Sequence, residues 1–282
     1  MDRLISDKYK QWEDECSLRY NKLKKNEEEL NRIFINIYGL NSELSPYVKD
    51  NDVTVRKADL QRDIKSLISY SVGCMFGRYS IDSLKTNTVL PYSVPAYGII
   101  SICENKSLQN DIYHLFVQFI KTVYGTTTLN ENLCFISEAL GGKGSPEEII
   151  YDYFSKAFFS DHSKIYQNCP IYWLLNSGRY SAFKCLVYYH KFNSDTIDEI
   201  LSKYVPLQIN AISKQLSNIN QNLSASENKN TVQLQKSADI LSLKLNELSQ
   251  YKLKLISAKG KNISFNYDDG IKYNYEFFKE LG

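Results

Sequence analysis

The sequence lacks the features that mark a membrane or an extracellular protein. No stretch approaches the roughly 20 consecutive apolar residues of a membrane span, and the first residues, MDRLISDKYK, do not resemble a signal peptide. The six cysteines are scattered without a CxxC pair, a usage typical of reduced thiols rather than of a disulfide framework. These absences predict a cytoplasmic protein without a membrane partner.

A strong charge of one sign is also missing. Lys and Arg number 34 against 32 Asp and Glu, so the formal net charge is only +2. A global field that attracts nucleic acid or an acidic membrane is therefore excluded, and any basic binding surface must be local.

The motifs of common enzymes are absent. The three histidines, His114, His162 and His190, do not have the spacing of zinc ligands, and the sequence contains no GxSxG, Walker lysine or GxGxxG pattern. No metal site is predicted. The residue chemistry alone therefore favours a binding or architectural module and gives little support to a stand-alone enzyme.

One glycine-rich segment, GGKGSPEE, precedes a predicted helix and allows two interpretations. Such a loop can cradle a phosphate at a helix N-terminus. It lacks the Walker spacing, however, and Ser145, Pro146 and Glu148 match a capping box with proline at the first helical position. The capping interpretation explains the segment without a ligand.

The pattern of apolar residues predicts helices through most of the first half. We expect a helix over 4–38 ending at Gly39, and a second from near Lys57 to Tyr79. Helices are also predicted at 111–125, at 129–140 and after Ser145. Residues 80–108, with two prolines, are predicted to form a long loop with a short strand.

The second half combines strands with a helical arm. Residues 169–192 predict two strands joined at the turn signal NSG, and residues 263–278 predict a β-hairpin around Asp268 and Asp269. Between them, apolar residues alternate by steps of three and four in two segments separated by SASENKN, which predicts an antiparallel coiled-coil hairpin over about 201–258. Trp173, Tyr188 and Tyr189 allow base stacking but are more typical of a core.

These elements predict a mainly α fold with small β elements, of the α+β class. It would contain a helical platform, an antiparallel coiled-coil hairpin and short β-hairpins. We predict a helical spacer region at 1–168 and a region at 169–282 that carries the hairpins and the arm, with a single continuous domain as the alternative.

Gly73 and Gly77 lie four residues apart in the second predicted helix. Missing side chains on one face allow the backbone of a neighbour to approach closely, which offsets the roughly 1 kcal/mol that each glycine costs relative to alanine. Arg78 follows and is able to reach a phosphate or to cap carbonyl groups. Together with Arg56, Lys57, Arg62 and Lys65 it would form a basic stripe along the helix. Asp59 and Asp63 interrupt this stripe, so ion pairs between residues three or four positions apart are the alternative to phosphate binding.

The arm has a local excess of positive charge. Between residues 201 and 262 nine lysines stand against Glu227, Asp239 and Glu247. Such an arm can lie along a phosphate backbone, or it can be an ordinary solvated coiled-coil surface. Lysines spread around the arm, instead of lining one side, would favour the second interpretation.

Several long phrases resemble a known family. They are NEEELNRIFINIYGLNSEL, VTVRKADLQRDIKSLISYSVGCMFGRYSID, LGGKG, CPIYWLLNSGRYSAFKCLVYYHKF and DDGIKYNYEFF. Together they resemble the C-terminal part of the PglX family, the adenine-specific DNA methyltransferases of bacteriophage-exclusion (BREX) defence systems, which are similar to large single-chain restriction-modification enzymes. The resemblance covers nearly the whole chain from about Trp12 onward.

The resemblance implies a non-catalytic part of such an enzyme. In that family an N-terminal domain binds S-adenosylmethionine and carries an Asn-Pro-Pro-Tyr type motif, and this sequence has neither that motif nor a glycine-rich cofactor motif. We therefore predict no catalytic residue and no cofactor in this chain, with S-adenosylmethionine expected for a full-length parent enzyme. The abrupt start and end suggest an excised fragment or a truncated gene product.

The expected partners are duplex DNA, the catalytic methyltransferase domain and other phage-defence proteins. The chain would help to position DNA, while the absent domain would flip the adenine. The alternative is a scaffold that docks other defence components through the arm. The candidate DNA-binding residues are Arg56, Lys57, Arg62, Lys65, Arg78, Lys143, Arg179 and Lys184.

Overall fold

A computed structural model describes residues 3–81, 94–102, 111–225, 231–259, 277–279 and 281–282. Most of the predicted loop at 80–108 lies outside the described residues, and so does the predicted β-hairpin at 263–278 apart from its last two residues. Within the described chain, no helix combines the length and apolar character required to cross a bilayer.

The described residues form a mainly helical fold with one small sheet, which confirms the predicted fold class. The helices are α1 (Ile5–Tyr38), α2 (Leu60–Met75), α3 (Ile112–Tyr124), α4 (Leu129–Leu140), α5 (Pro146–Asp152), α6 (Phe158–Ile165), α7 (Ser194–Glu199), α8 (Val205–Ala225) and α9 (Thr231–Lys259). The strands are β1 (Ile99–Ser101), β2 (Tyr172–Asn176) and β3 (Lys184–Tyr188). Two π-helical turns cover Tyr153–Ala157 and Ile200–Tyr204.

The chain divides into two compact units. Unit 1 comprises residues 1–69 and 120–149, and unit 2 comprises residues 70–119 and 150–282. The boundaries fall inside α2, α3 and α5. The separate division into regions 1–168 and 169–282 stays a prediction.

Unit 1 contains the long helix α1 and the helix α4. The buried side chain of Asn132 in α4 accepts a 2.8 Å hydrogen bond from the backbone N–H of Ile5, at the N-terminus of α1. The C-terminus of α1 is Gly39, whose φ of +69° is the left-handed conformation that glycine adopts without strain. The predicted stop of this helix is thereby confirmed.

The capping box before α5 is present. The backbone N–H and the hydroxyl of Ser145 both donate to the Glu148 carboxylate, at 2.8 and 3.0 Å, and the Glu148 N–H donates to the Ser145 hydroxyl at 3.3 Å. These reciprocal bonds satisfy amide groups that have no partner within the helix. The glycine-rich segment is therefore explained by helix capping.

Unit 2 is built on an antiparallel sheet in the order β1-β3-β2. Trp173 pairs with Val187 and Leu175 with Cys185 across β2 and β3, which confirms the two predicted strands around NSG. Side chains from β2, β3, α7, α8 and α9 share one hydrophobic core. Trp173 and Tyr189 are each only 4% exposed within it, so these two predicted stacking candidates are core residues.

Helices α8 and α9 pack against each other as the two halves of the predicted arm. Their packed faces include Ile212, Ala238 and Leu248, which belong to the predicted apolar repeat and are buried. The 21 residues of α8 span about 30 Å, and the five residues that follow are too few to carry the chain back over that distance. The pair is therefore antiparallel, while supercoiling of the two helices stays a prediction.

Gly73 in α2 and Gly77 just beyond its end serve different purposes, and the prediction that they admit a neighbouring backbone was wrong. A Cβ atom on Gly73 would lie 2.3 Å from the ring of Tyr79, so this ring occupies the space of the missing side chain. Gly77 has φ of +71° and ends the helix: its N–H bonds to Cys74 O, and the Arg78 N–H bonds to Gly73 O at 2.8 Å. This pair of bonds is a Schellman motif.

Candidate nucleic-acid interface

Arg78, the residue after this helix end, lies among tyrosine side chains in unit 2. Its Nη1 donates a 3.1 Å hydrogen bond to the hydroxyl of Tyr166. Its guanidinium carbon lies 5.0 Å from the ring centre of Tyr79 and 5.6 Å from that of Tyr166, within the range of cation–π attraction. Arg78 makes no ion pair with a carboxylate among the described residues. The half-buried cation is thus held by aromatic rings without a counter-ion in the described chain.

His162 lies behind this group and is 2% exposed. Its Nε2 accepts hydrogen bonds from the backbone N–H groups of Ile171 and Tyr172, at 3.0 and 3.3 Å, which requires that nitrogen to be unprotonated. Burial, and to a smaller extent the positive charge of Arg78, lower the pKa of His162 to about 4. The neutral imidazole therefore fixes the start of β2 and adds no charge to the site.

The turn between α6 and β2 brings these groups together. Gln167 and Asn168 have φ of +53° and +62°, the left-handed conformation that side chains with a Cβ rarely adopt. The Asn168 N–H bonds back to Ser163 O at 2.7 Å and ends α6. The chain then reverses so that Ile171 reaches His162, and Tyr166 lies beside Arg78.

A second candidate, Arg179, lies in the loop between β2 and β3. The carboxylate of Glu247 in α9 holds this loop by accepting hydrogen bonds from the Ser177 hydroxyl, the Tyr180 N–H and the Ala182 N–H, at 2.7, 2.7 and 3.0 Å. Burial raises the pKa of Glu247, but these three bonds outweigh it and leave the pKa below its usual value. The loop is thus fixed by an ionised carboxylate.

Within this loop Arg179 is exposed and lies 5.9 Å from the ring centre of Tyr180. The neighbouring Gly178 has φ of +146°, and a Cβ at that position would lie 3.0 Å from the Glu247 carboxylate. A residue with a Cβ would be strained at this φ and would push the carboxylate away, so the position favours glycine. Lys184, at the start of β3, is half-buried and donates to Ser155 O at 3.1 Å. Of the unit 2 candidates, Arg78 and Arg179 therefore have the freer cationic groups.

The candidates of unit 1 include two that pair with the chain's own acidic groups. Lys57 lies over the ring of Tyr20, 4.3 Å from its centre, and 3.6 Å from the Asp50 carboxylate. Arg62 bonds to the Asp63 carboxylate at 3.0 Å and to Lys57 O at 2.8 Å. Their positive charge is therefore partly neutralised within unit 1.

The other candidates of unit 1 are Arg56, Lys65 and Lys143. Arg56 and Lys143 are exposed, and Lys65 is half-buried. Asp59, which interrupts the predicted basic stripe, accepts a 2.7 Å bond from the Arg62 N–H and caps the start of α2. Helix capping explains this acidic residue.

Three residues that shape the candidate interface were missed by sequence reasoning. The bonds that Glu247 accepts span 65 to 70 residues, and those of His162 span nine or ten across a left-handed turn. Tyr166 lies 88 residues from Arg78. No local pattern indicates such partners, because they depend on how distant segments fold together.

Two open grooves lie among the described residues, one of about 450 Å³ between α8 and α9 and one of about 300 Å³ beside the end of α1. Their linings combine apolar side chains with amide and hydroxyl groups and include no Asp or Glu.

Comparison with known proteins identifies two similar sequences. The chain is 41% identical over 286 aligned residues to the adenine-specific methyltransferase PglX of Lacticaseibacillus casei (strain Zhang), an alignment that covers 95% of this chain and 23% of that protein. It is 33% identical over 241 residues to the adenine-specific methyltransferase BrxX of Escherichia coli O9:H4 (strain HS), covering 77% of this chain and 20% of that protein. No protein-family model matches the chain.

These similarities confirm the resemblance found in the sequence. The chain spans between a fifth and a quarter of the length of the relatives it matches. It is therefore similar to one segment of these methyltransferases.

Proposed function

We propose that this chain, which is similar to one segment of adenine-specific methyltransferases of the PglX and BrxX type, is a non-catalytic DNA-positioning part of such an enzyme in a BREX phage-defence system. It would bind duplex DNA for a catalytic domain that lies in the remaining three quarters of a full-length protein. That domain would bind S-adenosylmethionine and flip the adenine into its own pocket.

The observation that carries this proposal is the environment of Arg78. A partly buried charge is normally paired, because removal from water without a partner is costly. The described partners of Arg78 are tyrosine groups, and none of the ion pairs among the described residues joins it to a carboxylate. A guanidinium group placed beside aromatic rings is well suited to bind a phosphate oxygen, and phosphate contacts fix the position of a protein on DNA.

Arg179 extends the same proposal to a second element of unit 2. Glu247 already fixes the loop that carries Arg179, so the loop loses little conformational entropy when DNA binds. Rigid loops with exposed cations are effective phosphate contacts. Lys57 and Arg62 would contribute less, because each is already close to a carboxylate.

The test is a titration of labelled duplex DNA with the 282-residue chain at several salt concentrations. We expect weak binding whose affinity falls steeply as salt rises, because phosphate contacts release counter-ions. Arg78→Ala should weaken binding and reduce the slope of log affinity against log salt by about 1. Lys156→Ala is the matched control, since this exposed cation of unit 2 is paired with Asp152 at 2.6 Å.

Two results would contradict the DNA role. One is an absence of binding at low salt, and the other is binding that neither salt nor Arg78→Ala changes. Arg78→Lys distinguishes charge from geometry: lysine keeps the charge but lacks the planar, forked donor group of arginine, so partial loss is expected.

The second candidate function is a scaffold that binds other phage-defence proteins through the α8–α9 arm. It is favoured by the groove of about 450 Å³ on the arm, whose lining includes the half-exposed Ile240. The arm's basic character is also reduced locally, because Lys203 pairs with Glu199 at 2.9 Å. Ile240→Glu should abolish binding of a protein partner and leave DNA binding unchanged.

A further inference from the structure

The C-terminal half of α1 has a continuous apolar face that lies open to solvent. Its members are large side chains, each between 45% and 71% exposed, at the helical spacing i, i+3, i+4, i+7 and i+8, together with one residue just beyond the helix. We call these residues the α1 face: Leu30, Ile33, Phe34, Ile37, Tyr38 and Leu44.

The segment that follows α1 covers a different side of the helix. It runs back along α1, where Pro46 O accepts from the Asn31 side chain at 3.3 Å and the Val48 N–H donates to Glu28 at 3.3 Å. Further along, Asp50 O accepts from the Tyr20 hydroxyl at 3.0 Å. The α1 face lies about a third of a turn around the helix from this strip, so the returning segment leaves most of it uncovered.

The size of the α1 face matches that of a protein interface. Six large side chains that each expose on the order of 100 Å² approach the ~800 Å² that each partner buries in a standard interface. A groove of about 300 Å³ at its edge, lined in part by Phe34, Tyr38 and Leu44, can accept a side chain of a partner. Apolar patches of this extent mark interaction sites on soluble proteins.

The relatives indicate what covers this face. The alignment with PglX of Lacticaseibacillus casei spans 95% of this chain but only 23% of that protein, so most of the relative's polypeptide lies outside the matched segment. Interfaces between domains of one polypeptide bury about 600 to 1,500 Å², an extent that an apolar face of this size can supply.

We infer that the α1 face is the docking surface for the unmatched, methyltransferase-bearing part of a PglX-type protein, an inference that rests on the function proposed above. The helix would bind through the i, i+3, i+4 and i+7 anchors Leu30, Ile33, Phe34 and Ile37, as amphipathic helices do in apolar grooves.

The first experiment measures binding of this chain to the unmatched part of the Lacticaseibacillus casei relative, produced as a separate polypeptide. Phe34→Glu combined with Ile37→Glu should weaken binding by about 30-fold or more, because buried charge replaces two central anchors. Leu18→Glu is the matched control: it lies on the same helix, is 70% exposed, and points about 120° away from the α1 face. The control should bind like the unmodified chain.

A second experiment does not depend on association in trans. In a chimaera, this chain replaces the matched segment of the relative, and hydrogen exchange is compared between the chimaera and the isolated chain. We expect the amides of 30–38 to exchange more slowly in the chimaera. The double substitution should lower the melting temperature of the chimaera, while the isolated chain should melt nearly unchanged because these side chains are already exposed.

Three outcomes would overturn the inference. They are binding that the double substitution does not weaken, equal exchange of 30–38 in both proteins, and self-association of the isolated chain that the double substitution abolishes, which would make a second copy the occupant. The DNA titration keeps this test separate from the proposed function. The double substitution should leave DNA affinity intact. If the unmodified chain binds DNA but the double substitution does not weaken docking, the α1 face is rejected and the DNA role stands, whereas docking without DNA binding rejects the DNA role alone.

Discussion

The carboxylate of Glu247 in α9 accepts a 2.7 Å hydrogen bond from the hydroxyl of Ser177, at the start of the loop between β2 and β3. Two backbone N–H groups of the same loop also donate to this carboxylate. One acidic side chain on the helical arm therefore holds the conformation of a loop that is 65 to 70 residues away in the sequence. The loop carries Arg179, so its rigidity bears directly on DNA binding.

Glu247→Ala should destabilise the chain by about 2 to 3 kcal/mol. Hydrogen bonds to charged groups contribute about 1.5 to 3 kcal/mol, and the partly buried donors of Ser177, Tyr180 and Ala182 would lose their acceptor. Urea unfolding measures the change. Gln250→Ala, at an exposed position of the same helix, is the control and should change stability by less than about 0.5 kcal/mol. Equal effects of the two substitutions would show that Glu247 does not hold the loop.

His162 should make the chain less stable in mild acid. Its pKa is about 4 in the folded chain, below the ordinary value of 6.5, so the unfolded state binds more protons between these pH values. Stability should be complete above about pH 6.5 and should fall as pH decreases toward 4, by at most about 3 kcal/mol. Unfolding at pH 7 and pH 5 measures this loss before most carboxylates titrate.

The control for this pH dependence is a comparison of two histidine substitutions. His162→Asn should lower stability at pH 7 but remove most of the difference between pH 7 and pH 5. His114→Asn, at an exposed histidine, should retain the difference. A pH dependence that survives in His162→Asn would assign the acid sensitivity to another group.

Gly73→Ala should destabilise the chain because the added methyl group would overlap with the ring of Tyr79. The new methyl group would lie 2.3 Å from Tyr79, which must then move, and such overpacking costs about 1 to 3 kcal/mol. In a Tyr79→Ala background the same substitution should be neutral or stabilising, because alanine is favoured over glycine in a helix by about 1 kcal/mol. Urea unfolding of the four proteins of this double-mutant cycle provides the test. If Gly73→Ala had the same effect on stability in both backgrounds, the ring of Tyr79 would not be the cause of the destabilisation.

Arg179→Ala should weaken DNA binding without affecting stability. The side chain is exposed in a loop that Glu247 fixes, so the free energy of unfolding should change by less than about 0.5 kcal/mol. The slope of log affinity against log salt should fall by about 1, as expected when one phosphate contact is lost. Lys203→Ala, which removes an exposed lysine that pairs with Glu199, is the matched control. An unchanged salt slope for Arg179→Ala would remove this residue from the interface.

The sequence by itself determined the class of fold and the positions at which several helices and strands begin or end. The stop of α1 at Gly39, the capping box of Ser145 and Glu148, and the two strands around NSG were predictable because each depends on residues a few positions apart. Long specific phrases were also sufficient to recognise the similarity to adenine-specific methyltransferases.

Only the tertiary structure decided which side chains meet. The role of Gly73 depends on a ring that folds back from beyond the helix end, and the environment of Arg78 depends on Tyr166. Glu247 looked like one of three acidic residues on a basic arm, yet it holds a loop from another part of the sequence. Such contacts form between segments brought together by burial of a shared core, and a one-dimensional pattern does not specify which polar groups end up beside each other when that core forms.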